Sequence, residues 1–312
     1  MRVLVTGASG FVGREFCRVA RRQGMVVREC RRSLSSDPSV ECVQIDLLSI
    51  MDCSAALQGV DVVVHLAARV HQMQERVGQG EAAYREMNVN ASRRLIQQSA
   101  QMGVRRFVFV SSIKVNGECS YGRPITENDI PAPIDAYGCS KLEAEQELKR
   151  LAEISGMEWV VIRPPLVYGA GVKGNFFRLL RQVQQGFPIP AGEAPRSYVN
   201  VWNLVDLILL CCTHPAAANQ LFLAEDVTMS TTGLVRGLAK AMGKSPRLVF
   251  LPQLALQISM KLPILGPVLM RLCGEFQISS VKARTLLGWQ PVITADEALR
   301  RTAVQFLKQC EE

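Results

Sequence analysis

The chain has 312 residues, 48% of them hydrophobic, and a formal net charge of +8, so it is long enough to bury a large core. No apolar run reaches the roughly 18–20 residues of a membrane-spanning helix, which argues against a transmembrane segment. No basic run is interleaved with aromatics, which argues against nucleic acid and leaves a small anionic ligand as a sufficient use for the charge.

In chain order, short β-rich runs alternate with helix-length amphipathic segments up to residue 165. Strands are predicted at 2–6, 25–30, 40–45, 60–66, 106–111 and 158–162, with helices near 11–23, 52–58, 80–102 and 136–155. Several strand runs are continuously apolar, as in strands covered on both faces. The pattern predicts an α/β fold, a Rossmann-like doubly wound parallel sheet. After Arg163-Pro164-Pro165 the elements shorten, and helices return near 203–212, 231–242 and 294–309. The expected division is a sheet domain over 1–165, with some return of chain from 198–225, and a smaller, partly discontinuous C-terminal cap over 166–312. Residues 248–272 are apolar but hold three prolines and Lys261. Core or cap packing is expected there, with a lipid- or partner-facing surface as the alternative.

Ten cysteines lack CxxC pairs and metal spacing, and Cys211 and Cys212 sit in an apolar run. They read as reduced thiols, and no metal is expected. The chain begins on a strand-like run and not on a secretory signal, so a cytoplasmic location is expected.

The turn Thr6-Gly7-Ala8-Ser9-Gly10-Phe11-Val12-Gly13 follows the first strand and opens a helix, as a dinucleotide fingerprint does. Gly7 permits the tight turn, Gly10 lets the backbone approach a pyrophosphate, and Gly13 lets helix and sheet lie close. The helix start, at Phe11 and Val12, supplies free N–H groups and a positive dipole end. A plain glycine turn is the competing reading. The second strand ends in Cys30-Arg31-Arg32-Ser33, and Glu29 falls earlier in the strand than the acid that would bond a ribose 2′-hydroxyl. Arg31 and Arg32 therefore favour NADP(H), with NAD(H) the alternative and solvated surface charge the bland reading. Asp46 and Leu47 close the third strand and would hold adenine, unless Asp46 is a loop cap.

Tyr137 and Lys141 are four residues apart, so a helix turns both to one face. A phenol of pKa about 10 needs a neighbouring cation to work as an acid–base group, and Lys141 is expected to lower it. Ser112, with Ser111 at the end of the fifth strand, would bond the substrate oxygen at the edge where open α/β sheets bind ligands. An exposed helical Tyr/Lys pair is the competing reading.

With these motifs, His65-Leu66-Ala67-Ala68, Asn88-Val89-Asn90, Arg163-Pro164-Pro165-Leu166-Val167-Tyr168-Gly169, Arg196-Ser197-Tyr198-Val199 and Leu287-Gly288-Trp289 complete a resemblance. The chain resembles the extended short-chain dehydrogenase/reductase superfamily, in particular its nucleotide-sugar epimerase/dehydratase family. The resemblance spans nearly the whole chain. It implies that Leu66, Ala67 and Ala68 line the cofactor, that Asn88 supports the active-site helix, and that Pro164 and Val167 lie beside the nicotinamide. It implies that Lys141 also bonds the nicotinamide ribose, and that Asn175 and Arg196 hold a nucleotide diphosphate. It further implies a homodimer through 80–102 and 136–155.

The dehydratases of that family carry an Asp-Glu pair after the catalytic Ser or Thr, where this chain has Ile113-Lys114, so dehydration is not expected. A 4-keto reductase and a 4-epimerase of a nucleotide-diphosphate sugar remain. Arg31 and the run Ser111–Glu118, with Asn116 where the epimerases have Tyr, favour the reductase, as in enzymes making sugars for surface polysaccharide. Lys114 would touch the sugar or its phosphates, or be solvated. An apolar-ketone reductase and a non-catalytic dinucleotide sensor are the more distant readings.

Overall fold

The computed structural model describes residues 1–35, 37–49, 52–70, 80–250 and 274–311. β1 (Arg2–Thr6) carries Val3, Leu4 and Val5 fully buried, as a strand covered on both faces must. It lies between β2 (Val26–Arg31) and β4 (Val62–His65), both parallel to it. β3 (Cys42–Gln44) extends the sheet beyond β2, and β5 (Arg106–Val110) and β6 (Glu158–Arg163) extend it beyond β4. A four-residue strand, Gln220–Leu223, adds a seventh member against β6, so the order runs from that strand through β6, β5, β4, β1 and β2 to β3. All pairings in this sheet are parallel, which makes it the expected Rossmann-like sheet.

Helices cover both faces. α1 (Phe11–Arg22) buries Gly13, Phe16, Cys17 and Ala20, a stripe at helical spacing. It packs with the helix Val201–Thr213 on one face, while residues such as Leu95, Ile96 and Leu148 fill the other. The helix predicted over 80–102 is interrupted: Arg85–Asn90 form a π-helical turn between Gly80–Tyr84 and Ala91–Gln101. Such turns change which side chains face a site without ending the helix. The longest of these elements at the site, α5 (Ala136–Ser155), agrees with its predicted bounds.

The second half forms a separate cluster. A three-stranded sheet of Leu166–Tyr168, Pro195–Asn200 and Val227–Ser230 sits with helices Gly174–Gln185, Thr231–Ala241 and Ala295–Glu311 around Tyr168, Phe176, Leu180, Val235 and Leu238. Leu248–Val249 pairs with Ile189–Pro190. Residues 251–272 of the apolar stretch 248–272 lie outside the described residues. Among the described residues, no helix is long and apolar enough to cross a membrane.

Candidate active site

Because the seven strands run parallel, their C-terminal ends share one edge, and the predicted residues gather there. Gly7 has φ of 70°, and an added Cβ would lie 2.7 Å from the Ala67 nitrogen; one on Gly13 would lie 2.2 Å from the Gly7 oxygen. Any side chain would push the turn off Leu66 and Ala67, which are partly exposed beside it with Ala68. α1 then starts at Gly10 with no side-chain cap and no acidic residue in its first turn, around Phe11 and Val12. Its leading N–H groups are left for an anion, so the turn fits the pyrophosphate of a nicotinamide dinucleotide. His65 braces the turn: Nδ1 is 2.6 Å from Thr6 Oγ1, and Nε2 is 2.8 Å from Ser92 Oγ. Burial, and then the charge of Lys141, push the His65 pKa down to about 3, so the ring is a neutral relay between two hydroxyls.

At the end of β2 the structure adds a contact that the sequence reading lacks. Arg31 Nε and Nη2 each lie 2.5 Å from Glu29 Oε2, and Arg21 Nη2 lies 2.5 Å from Oε1. Glu29 is 1% exposed. Residues i and i+2 of a strand point to one face, so Glu29 lies beneath Arg31. Arg32 is exposed. Asp46 is exposed too, and its Oδ1 accepts from Leu48 N at 3.1 Å, a local turn bond beside the buried Leu47.

Ser112, Tyr137 and Lys141 come together from two distant segments. Ser112 ends β5's extension and accepts from Lys114 N at 3.2 Å. Asp135 caps α5, taking the Gly138 N–H at 2.7 Å. A Cβ on Gly138 would lie 2.7 Å from the Lys114 carbonyl, so a glycine is what lets α5 start against the Ser112 turn. Ser112 lies beside Tyr137 and pulls on the pKa of its phenol. Lys141, 2% exposed, donates from Nζ to the Val110 carbonyl at 2.9 Å and lies 4.4 Å from the centre of the Phe109 ring.

The expected lowering of the phenol is absent from this arrangement. Burial pushes Tyr137 up to about 12, against a smaller downward pull from Ser112, while burial brings Lys141 down to about 7. The cause is that Lys141 turns towards Val110 and Phe109, where desolvation acts on it, and Tyr137 sits near Asp135 and Tyr84.

The remaining candidates divide. Asn88 clamps Arg69 through both backbone groups, at 2.8 and 3.1 Å, and donates to Ser140 Oγ of α5 at 3.0 Å. Ser111 is buried, and its hydroxyl has no hydrogen-bond partner among the described residues. Pro164 is buried and its carbonyl accepts from Ile113 N at 3.0 Å; Val167 is partly exposed. Lys114 is drawn into ion pairs with Asp135, at 3.1 Å, and with Glu118. Arg196 donates to the Gly274 carbonyl at 2.5 Å and lies over the Phe276 ring, while Asn175 is exposed near the start of its helix.

Two residues, Glu145 and Tyr84, went unnoticed in the sequence. Glu145 accepts from buried Arg163 at 3.0 and 2.6 Å, and Arg163 also donates to Asn116 Oδ1 at 2.9 Å, fixing α5 to β6. Tyr84 sets its ring edge-on to Tyr137, with centroids 6.1 Å apart. The available signals were Glu145 four residues after Lys141 and Tyr84 four before Asn88, spacings that share a helix face.

The NAD dependent epimerase/dehydratase family matches residues 3–223. A UDP-glucose 4-epimerase of Vibrio cholerae is 39% identical over 313 residues, covering 98% of this chain and 95% of the relative. A 3 beta-hydroxysteroid dehydrogenase/Delta 5-->4-isomerase of Mycobacterium tuberculosis is 26% identical over 344 residues, covering 100% and 92%. The crystal structure of a UDP-glucuronic acid 4-epimerase from Bacillus cereus in complex with NAD superposes with a TM-score of 0.82 at 21% identity, covering 100% of this chain and 98% of that one. That last likeness bears on the fold.

Proposed function

Because the chain belongs to the NAD dependent epimerase/dehydratase family, we propose that it is a UDP-sugar 4-epimerase working through one retained nicotinamide dinucleotide. The observation that carries this reading is the likeness to the Vibrio cholerae UDP-glucose 4-epimerase along 98% of the chain, which takes in both the sheet and the second half. In this reading residues 166–312 form the cap that recognises the sugar nucleotide, with Asn175 and Arg196 on its side of the cleft. Two copies pair through the helices at 80–102 and 136–155.

The bound dinucleotide supplies hydride acceptance and return at C4. Tyr137 takes the proton of the C4 hydroxyl in the oxidative half and returns it in the reductive half, with Ser112 bridging phenol and sugar oxygen. Lys141, on the same face of α5, is the cation that offsets charge on the phenol, and for this it must leave the Val110 carbonyl. Ile113 is buried and Lys114 is tied to Asp135 and Glu118, so neither is a second acid–base group for expelling water.

A 4-keto reductase is the second reading, favoured by Arg31 and Arg32 after β2. The two are separated by incubating the purified protein with UDP-glucose and no added cofactor. Appearance of UDP-galactose is expected. Absence of interconversion, with oxidation of added NADPH or NADH by UDP-4-keto-6-deoxy-GlcNAc, would overturn the epimerase.

A further inference from the structure

We infer that Glu29 sets the dinucleotide preference of this chain: it holds Arg31 on a buried carboxylate and so withholds that arginine from a 2′-phosphate. A carboxylate that is 1% exposed must be paired, and its partners are Arg21 on one oxygen and Arg31, through two donors, on the other. Burial, and after it the charge of the same carboxylate, push the Cys17 thiol up to about 12. Arg31 therefore meets a dinucleotide with two of its five N–H groups turned inward and its charge largely offset. To embrace a 2′-phosphate through the same Nε–Nη2 edge it would have to leave Glu29 buried on Arg21 alone, and its three other N–H groups approach a phosphate with the charge already offset. A ribose 2′-hydroxyl makes no such demand.

The consequence is that NAD(H) binds at least as tightly as NADP(H), although an arginine stands at the end of β2. Two arginines in sequence read as a phosphate site; the carboxylate beneath Arg31 reverses that reading for it. The inference rests on the dinucleotide class and not on the choice of epimerase over reductase, so it stands or falls without any sugar present.

The experiment is equilibrium titration of the dinucleotide-free protein with NADH and with NADPH, read by nicotinamide fluorescence, for wild type, Glu29→Gln and Arg31→Met. Wild type is expected to bind NADH at least as tightly as NADPH. Glu29→Gln frees Arg31 and is expected to shift the affinity ratio towards NADPH by about tenfold, the scale of one added charge-assisted bond. Arg31→Met, at a partly exposed site, is expected to move the ratio by less than about threefold. A wild-type preference for NADPH, an unmoved ratio in folded Glu29→Gln, or a selective loss of NADPH in Arg31→Met of about tenfold or more would overturn the inference. If Glu29→Gln does not fold, wild type and Arg31→Met decide it.

Discussion

Arg31 and Lys141 stand at the same edge of one sheet, and their surroundings make different things of a positive charge. Arg31 lies on a buried carboxylate that also holds Arg21. Lys141 is more deeply placed than Arg31, its ammonium is bonded to a carbonyl and faces an aromatic ring, and the carboxylate one turn on, Glu145, is bonded to Arg163. The first cation is held by its counter-ion and serves the fold. The second is desolvated without a carboxylate bonded to it, which brings its pKa to about 7 and makes it a group whose charge can change during a reaction. Pairing marks the structural cation, and desolvation marks the chemical one.

The sharpest way to break this comparison is at the catalytic end. Tyr137→Phe removes the proposed proton donor and is expected to lower kcat by about 10³-fold, a typical loss for a general acid–base group, with NADH titration unchanged. Residual turnover near that of wild type would take the chemistry away from this end of the sheet.

Next in size is the pair that keeps Glu145 away from Lys141. Glu145→Gln leaves the buried Arg163 charge without its carboxylate, bonded to Asn116 and at best to one amide oxygen, and urea unfolding is expected to show a loss of about 4 kcal/mol. A loss under about 1 kcal/mol would mean that the pair is dispensable for holding α5 to β6.

Lys141→Met tests whether the site holds its lysine at a cost. With a folded pKa of about 7 and an ordinary value of 10.5, the unfolded chain binds more protons between those limits, so stability rises with pH across them. The variant is therefore expected to be about 3 kcal/mol more stable than wild type at pH 6, the gain shrinking as pH rises from 7 towards 10.5. A gain independent of pH would refute the assignment.

His65 gives the smallest expected effect. Its folded pKa lies near 3 against an ordinary 6.5, so its contribution is intact above 6.5 and is lost as pH falls towards 3. Wild type is expected to lose about 2 kcal/mol between pH 7 and pH 5 from this group, and His65→Asn is expected to show a flatter dependence in urea unfolding.

Much of the fold was legible in the sequence because its signals are local. Six of the seven sheet strands announce themselves as short β-rich runs, and the glycine turn reads directly because close backbone approach needs residues without side chains. The seventh strand, Gln220–Leu223, was not legible as a strand, since four residues carry little periodicity and what places them is pairing with β6 from sixty residues away. The π-helical turn at Arg85–Asn90 was hidden for a related reason: apolar spacing does not distinguish one widened turn in a continuous helix.

The sequence by itself determined the sheet, the glycine turn after β1 and the candidate group Ser112, Tyr137 and Lys141, because each follows from residue type and short-range spacing. Only the tertiary structure decided the charge state of that group and the meaning of Arg31. Both depend on which groups from other segments lie alongside and on how far water is excluded. A strand places Glu29 under Arg31, but burial is what makes the contact binding. A helix places Lys141 beside Tyr137's face, but the carbonyl of Val110 and the ring of Phe109 decide where its charge rests.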